Sequence, residues 1–243
     1  MSADGSVVAV CSREASYKPG KVLVYMYNEK KGDWSQKGND IHINVRLASN
    51  VDLIINSAGN QILVSGLNEP VDIESYCCAA QSFIYTGMTE EWAKQDNCIF
   101  LTNIPAYHDI DMWSNGLVVG VPQLAFETPS FVKFYSLDIQ SAEWIQLGNE
   151  IKEISSGQFI GNFIALPFDG SIAALGSSSG FPIRVYKLNE NYEWLQFSYD
   201  ISIPAAKYSI LPIISASDLV LALPGISLSD QIMTHIFVFN DVF

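Results

Sequence analysis

The stretch Ile183–Tyr199, IRVYKLNENYEWLQFSY, decides how the rest of the chain is read. An alternating apolar run leads to Val185-Tyr186. A polar turn follows at Asn189-Glu190-Asn191, and a second run opens at Trp194 with Gln196 two residues on. Alternation of period two marks half-buried strands, and turn residues between two such runs mark a hairpin. The same phrase stands at Val22–Asn39 (VLVYMYNEKKGDWSQKGN) and at Phe131–Asn149 (FVKFYSLDIQSAEWIQLGN). A degraded copy stands at Ser82–Asn97 (SFIYTGMTEEWAKQDN), and half of one at Ile236–Asn240 (IFVFN).

Working outward, each copy is preceded by a short apolar run, strand b: Val7–Cys11, Ile62–Gly66, Leu117–Val121, Ile172–Gly176 and Leu219–Leu223. Before each run lies a turn signal: Asp4-Gly5, Ala58-Gly59-Asn60, Asn115-Gly116, Asp169-Gly170 and Ser217-Asp218. Glycine and asparagine there permit the positive φ of tight hairpins. A further apolar segment, strand a, precedes four of the turns. Strand c carries Tyr25, Tyr85, Tyr135, Tyr186 and Phe239, at steps of 60, 50, 51 and 53 residues. Strand d opens with Trp34, Trp92, Trp144 and Trp194, at steps of 58, 52 and 50. A period of about 50 residues with four strands each is the pattern of radial blades. The reading is an all-β, single-domain β-propeller of five repeats, 1–44, 45–101, 102–153, 154–203 and 204–243. The first repeat lacks strand a and the last lacks strand d. Each Trp is expected to pack with the tyrosine of its own repeat.

The pattern S-x-D-G-x-x-V-A-V in Ser2–Val10, then Val24-Tyr25 and W-x-Q-x-G-x-x-I in Trp34–Ile41, resembles FG-GAP-like and kelch-like propeller repeats. Phe168–Gly176 and Val185–Ile201 match nearly as well. The resemblance implies the fold. It carries over no ligand, because the paired glycines of kelch repeats and the D-x-D-x-D-G calcium loop are both missing.

The 243 residues carry 13 Lys plus Arg against 26 Asp plus Glu, a net charge of −13. So acidic a protein disfavours nucleic acid and anionic membranes as partners, since both bind through clustered cations. Cys11, Cys77, Cys78 and Cys98 show no metal spacing and read as buried free thiols. With no signal-peptide pattern in residues 1–20, an intracellular location is expected.

Chemistry is sparse. Asp109-Ile110-Asp111 with Asn115-Gly116 is the nearest approach to a metal loop, but Met112 and Trp113 occupy would-be ligand places, so no metal and no cofactor are expected. His42, His108 and His235 stand apart, with no G-x-S-x-G elbow. Asp52, Asp111 and Asp169 are the carboxylates a glycosidase propeller would need, on strands otherwise too apolar for a sugar cleft. The loops between strands b and c vary most, and variable loops on a rigid scaffold carry binding. Tyr17, Glu69, Phe126, Glu127 and Phe181 are the candidate contacts there. The expected function is a non-catalytic scaffold for protein–protein interaction, with a lectin-type propeller as the alternative and a glycoside hydrolase behind it. Because the last repeat lacks strand d, either the chain is expected to be a piece of a longer propeller, or Ile236, Val238 and Asn240 are expected to form an open edge to which a protein partner adds a strand.

Overall fold

A computed structural model describes residues 1–12, 20–43, 52–65, 76–95, 98–102, 110–123, 130–152, 163–167, 171–176, 182–202, 206–209, 213–214, 220–227 and 232–238. Among them every regular element is a strand, and the strands form five antiparallel sheets of the β-propeller type. No described helix is long and apolar enough to cross a membrane.

The first sheet holds β1 (Val7–Ser12), β2 (Gly20–Asn28), β3 (Asp33–Gln36) and β4 (Ile41–Ile43). The second holds β5 (Leu53–Ile55), β6 (Gln61–Ser65), β7 (Tyr76–Thr86), β8 (Glu91–Lys94) and β9 (Ile99–Thr102). The third holds β10 (Asp111–Met112), β11 (Val118–Gln123), β12 (Phe131–Asp138), β13 (Glu143–Gln146) and β14 (Ile151–Lys152). The fourth holds β15 (Phe163–Ala165), β16 (Ile172–Gly176), β17 (Arg184–Leu188) and β18 (Trp194–Gln196). The fifth holds β19 (Ala206–Ser209), β20 (Ile213–Ile214), β21 (Val220–Ser227) and β22 (Ile232–Val238).

Strand d is divided in two. In the first sheet β3 pairs with the C-terminal half of β2 and β4 with its N-terminal half. The interruption is a tight loop, Lys37-Gly38-Asn39-Asp40. Lys37 N donates to Val24 O at 2.8 Å, and the Gln36 amide closes the loop on Gly38 O at 3.1 Å and Asp40 Oδ1 at 2.8 Å. The same construction recurs at Gln146, which reaches Gly148 O, and at Gln196, which reaches Ser198 O and Asp200 Oδ1. The repeated W-x-Q phrase is therefore a loop-closing device.

Strand register corrects the tyrosine series. Tyr25 faces Gln36 and Tyr186 faces Gln196, whereas Tyr85 faces Trp92. The second-sheet residue equivalent to Tyr25 is Phe83, opposite Lys94. With Phe83 in place of Tyr85 the first two steps become 58 and 52, the same as those of the tryptophans. The residue opposite each Trp is Tyr27, Tyr85 or Leu188, so of these three only Trp92 faces the tyrosine expected of its repeat, and Trp34 takes Tyr27 instead of Tyr25. The Tyr27 and Tyr85 rings are tilted onto their tryptophans at 5.3 Å.

Each hairpin between strands c and d places a left-handed residue two positions before the tryptophan: Gly32 (φ 68°), Glu90 (φ 55°), Ala142 (φ 56°) and Tyr192 (φ 60°). Asn28, Asp138 and Asn189 cap these turns through side-chain oxygens that accept backbone N–H groups, as Asx-turns do. Thr89–Lys94 holds the end of this hairpin followed by β8.

The chain divides into two compact units. One comprises Met1–His108, Ser114–Leu117 and Leu137–Ile145, the other Asp109–Trp113, Val118–Ser136 and Gln146–Phe243. In the first unit Val7, Val22 and Val24 of the first sheet pack on Ile62, Val64, Phe83 and Trp92 of the second. In the second, Val118, Val132 and Phe134 pack on Ile164, Leu175, Tyr186 and Trp194. Each such side chain contributes on the order of 1.5–3 kcal/mol by leaving water.

Polar locks supplement these cores. Trp92 N donates to Asn39 Oδ1 at 2.6 Å and its indole Nε1 to Lys37 O at 2.7 Å. Trp194 repeats both contacts on the next such pair of sheets, to Asn149 Oδ1 at 2.6 Å and Leu147 O at 3.0 Å. Gly38 and Gly148 make room for them: each has φ near +80°, and a Cβ would stand 2.8 or 2.9 Å from the indole Cδ1. The Lys37 ammonium lies 4.6 Å from the Tyr85 ring centre and donates to Gly59 O, and its desolvation lowers its pKa. Trp144 is the exception. Its indole N–H is buried without an acceptor among the described residues, and Gln95, at the place of Lys37, gives its carbonyl to Gln81 Nε2.

One cysteine expectation fails. Cys11 is a free thiol, but Cys98 is disulfide-bonded. Cys98 precedes β9, which lies beside β7. That pairing joins segments whose proximity the cysteine spacing does not reveal.

Candidate functional site

The chemically distinctive group is Asp111, on the short first strand of the third sheet. Its neighbours Ile110 and Met112 are buried. The facing residue on β11 is Gly120, where a Cβ would come within 3.1 Å of Phe134 and 3.2 Å of Ile164. A bare glycine thus lets Phe134 and, from the fourth sheet, Ile164 close in beside this strand pair. Asp111 Oδ2 accepts from Leu166 N at 2.6 Å and Oδ1 from Met112 N at 2.8 Å.

Two backbone donors pull the Asp111 pKa down, but desolvation outweighs them and pushes it up to about 6. The residue as a whole remains half-buried, so the carboxyl is desolvated without being sealed off. The other described carboxyls with a resolved shift all move the opposite way. Hydrogen bonds from Ser2 and Ser6 hold Asp4 at about 2, the Lys21 hydrogen bond lowers Asp40, the Gln140 N–H lowers Asp138, and the Arg184 hydrogen bond lowers Asp200. Asp111 is therefore the described carboxyl suited to exchange protons near neutrality.

Three of the described basic side chains are held in ion pairs away from Asp111. Lys21 pairs with Asp40 at 3.0 Å, Lys152 with Glu150 at 2.7 Å and Arg184 with Asp200 at 2.9 Å. Among the described residues no three metal-ligating side chains come together.

Of the sequence candidates, Tyr17, Glu69, Phe126, Glu127, Phe181 and Asn240 lie outside the described residues, as do His108, Asp109 and Asp169. Ile236 and Val238 lie on β22 with exposed side chains. Among the described residues β22 pairs with β21 alone. Asp52 turns back on its own sheet, where Ser65 N donates to its carbonyl at 3.0 Å. Asp111 was legible as an acid that shares a short expected strand with Asp109. Its importance was not, because desolvation depends on a sheet contributed from 50 residues away.

No family model matches the chain, and no curated protein does. Solved structures do. The periplasmic gluconolactonase PpgL of Pseudomonas aeruginosa is 15% identical, with a TM-score of 0.57 over 96% of this chain and 69% of that one. A protein assigned as a 6-phosphogluconolactonase from Bacteroides uniformis is 13% identical, with a TM-score of 0.66 over 98% of this chain and 66% of that one. The β-propeller domain of Myceliophteria thermophila Cps50 (Swd1) is 8% identical, with a TM-score of 0.54 over 93% and 67%. The chain thus spans about two thirds of the length of each. At these identities the likeness establishes the propeller fold, and it favours neither kelch nor FG-GAP repeats. It also overturns the expectation of a non-catalytic scaffold that is not an enzyme: two of these three matches are named for catalysis, so strands too apolar for a sugar cleft do not rule catalysis out.

Proposed function

We propose that this chain is part of a hydrolytic propeller that opens the ring ester of an unphosphorylated sugar lactone, with Asp111 as the general base. The observation that carries the reading is the Asp111 carboxyl, raised to about 6 on a strand of a fold shared with named lactonases. In the reaction a water oxygen attacks the lactone carbonyl carbon while its proton passes to the Asp111 carboxylate. The ring C–O bond then breaks, and the departing alkoxide takes a proton to give the open hydroxy acid. A base whose pKa lies near the working pH contributes roughly 10²–10⁴-fold.

The charge balance supports a substrate without phosphate. Phosphate recognition calls for clustered, preferably bidentate cations. Here the net charge is −13 and the described ion pairs already occupy Lys21, Lys152 and Arg184. The test is lactone hydrolysis above the spontaneous rate by the wild type and by Asp111→Asn. Loss of the catalysed rate with an unchanged fold supports the role. An unchanged rate in Asp111→Asn removes it and leaves Asp111 a strut between two sheets.

A further inference from the structure

The first sheet has two unlike faces. Val7, Val22 and Val24 are buried against the second sheet. The opposite face carries Val8, Val10, Leu23, Tyr25, Tyr27 and Trp34, by alternation along three paired strands. It is apolar but open: Trp34 is 47% exposed, against 5% for Trp92 and 3% for Trp194 at the equivalent positions. Where those two are buried, the cover is the same each time, a preceding sheet that ends in Gln-x-Gly-Asn. Its carbonyl takes the indole N–H and its asparagine takes the backbone N–H. Trp34 has the same register as both, and its Tyr27 is tilted onto it at 5.3 Å as Tyr85 is onto Trp92.

We propose that the Val10–Tyr27–Trp34 face is a docking site for one further propeller sheet carrying a Gln-x-Gly-Asn loop. A second copy of these residues is a poor occupant. Both described Gln-x-Gly-Asn loops are already engaged, and the remaining described loop, Gln196-Phe197-Ser198-Tyr199, has serine for the glycine and an exposed tyrosine for the asparagine. The fifth sheet has an exposed face of its own. Phe237 packs toward the fourth sheet, while Ile236 and Val238, on the other face of β22, are 67% and 61% exposed. About a third of each matched structure lies outside the match, room for about two repeats of about 50 residues.

The experiment places a second copy of residues 103–162, the third sheet with its loop at Gln146–Asn149, ahead of Met1 of the full chain. Hydroxyl-radical footprinting then reads the oxidation of each tryptophan. In the unextended chain Trp34 should oxidise far faster than Trp92 and Trp194. In the extended chain its rate should fall to theirs, and Asn149→Ala in the added copy alone should restore part of it. Protection of Trp92 and Trp194 reports that the host has folded. The proposal is overturned if Trp34 stays as reactive in the extended chain, or if native mass spectrometry finds the unextended chain as a dimer with Trp34 already protected. Trp34→Glu in the unextended chain should lower its melting temperature by only about 2–4 °C, the loss of the Tyr27 ring pair; a much larger loss would place Trp34 in an existing core and equally overturn the proposal.

Discussion

Trp34 and Trp194 occupy the same place in the repeat yet should respond oppositely to truncation. Trp194 is 3% exposed, its ring centre lies 4.2 Å from that of Phe134, and its indole N–H is held by Leu147 O. Trp194→Ala should cost roughly 3–5 kcal/mol for the ring and its cavity, with about 1 kcal/mol more for the orphaned carbonyl. Trp34 is 47% exposed, and its described ring partner is Tyr27. Trp34→Ala should cost about 1 kcal/mol, the worth of one aromatic pair at the surface. Urea unfolding of both variants, with Trp194→Phe as an intermediate control, measures the difference through the midpoint at constant m-value. Equal losses would refute the assignment of Trp194 to a sheet-on-sheet lock and of Trp34 to an open face.

Asn149→Ala should cost about 1–3 kcal/mol by leaving the Trp194 backbone N–H without its acceptor, measured by the same unfolding assay. Ala142→Gly should stabilise by about 0.5–1 kcal/mol, because a left-handed Cβ costs more than glycine's extra chain entropy; a fall in melting temperature would contradict it. Asp111 titrates higher in the folded chain than its ordinary 3.8, so the native state holds the proton more tightly. Its contribution to stability is full below about pH 4 and lost as pH rises through about 6, at most about 3 kcal/mol. Denaturant melts across that window should show this slope in the wild type and not in Asp111→Asn.

The repeat was legible because strands and turns leave local marks. Gly5, Gly59 and Gly116 take positive φ where the turn signals stood, and four of the five strands b fall within a residue or two of the apolar runs. The division of strand d was not legible, since Gly38 and Gly148 look like ordinary turn glycines until the indole above them is seen. Tyr85 misled for a simple reason. Residues two apart on a strand share a face, so a phase error of two still yields an aromatic in a plausible place. The Asp111 environment and the Cys98 disulfide both depend on segments brought together by the fold, and nothing within the local window records them.

The central claim is tested most directly by following the hydrolysis of glucono-1,5-lactone in a pH-stat at pH 7 with the wild-type chain and with Asp111→Asn. The account expects wild-type hydrolysis well above the spontaneous rate and a loss of roughly 10²–10⁴-fold in the folded variant. Wild-type hydrolysis at the spontaneous rate, or a folded Asp111→Asn as active as the wild type, would contradict it.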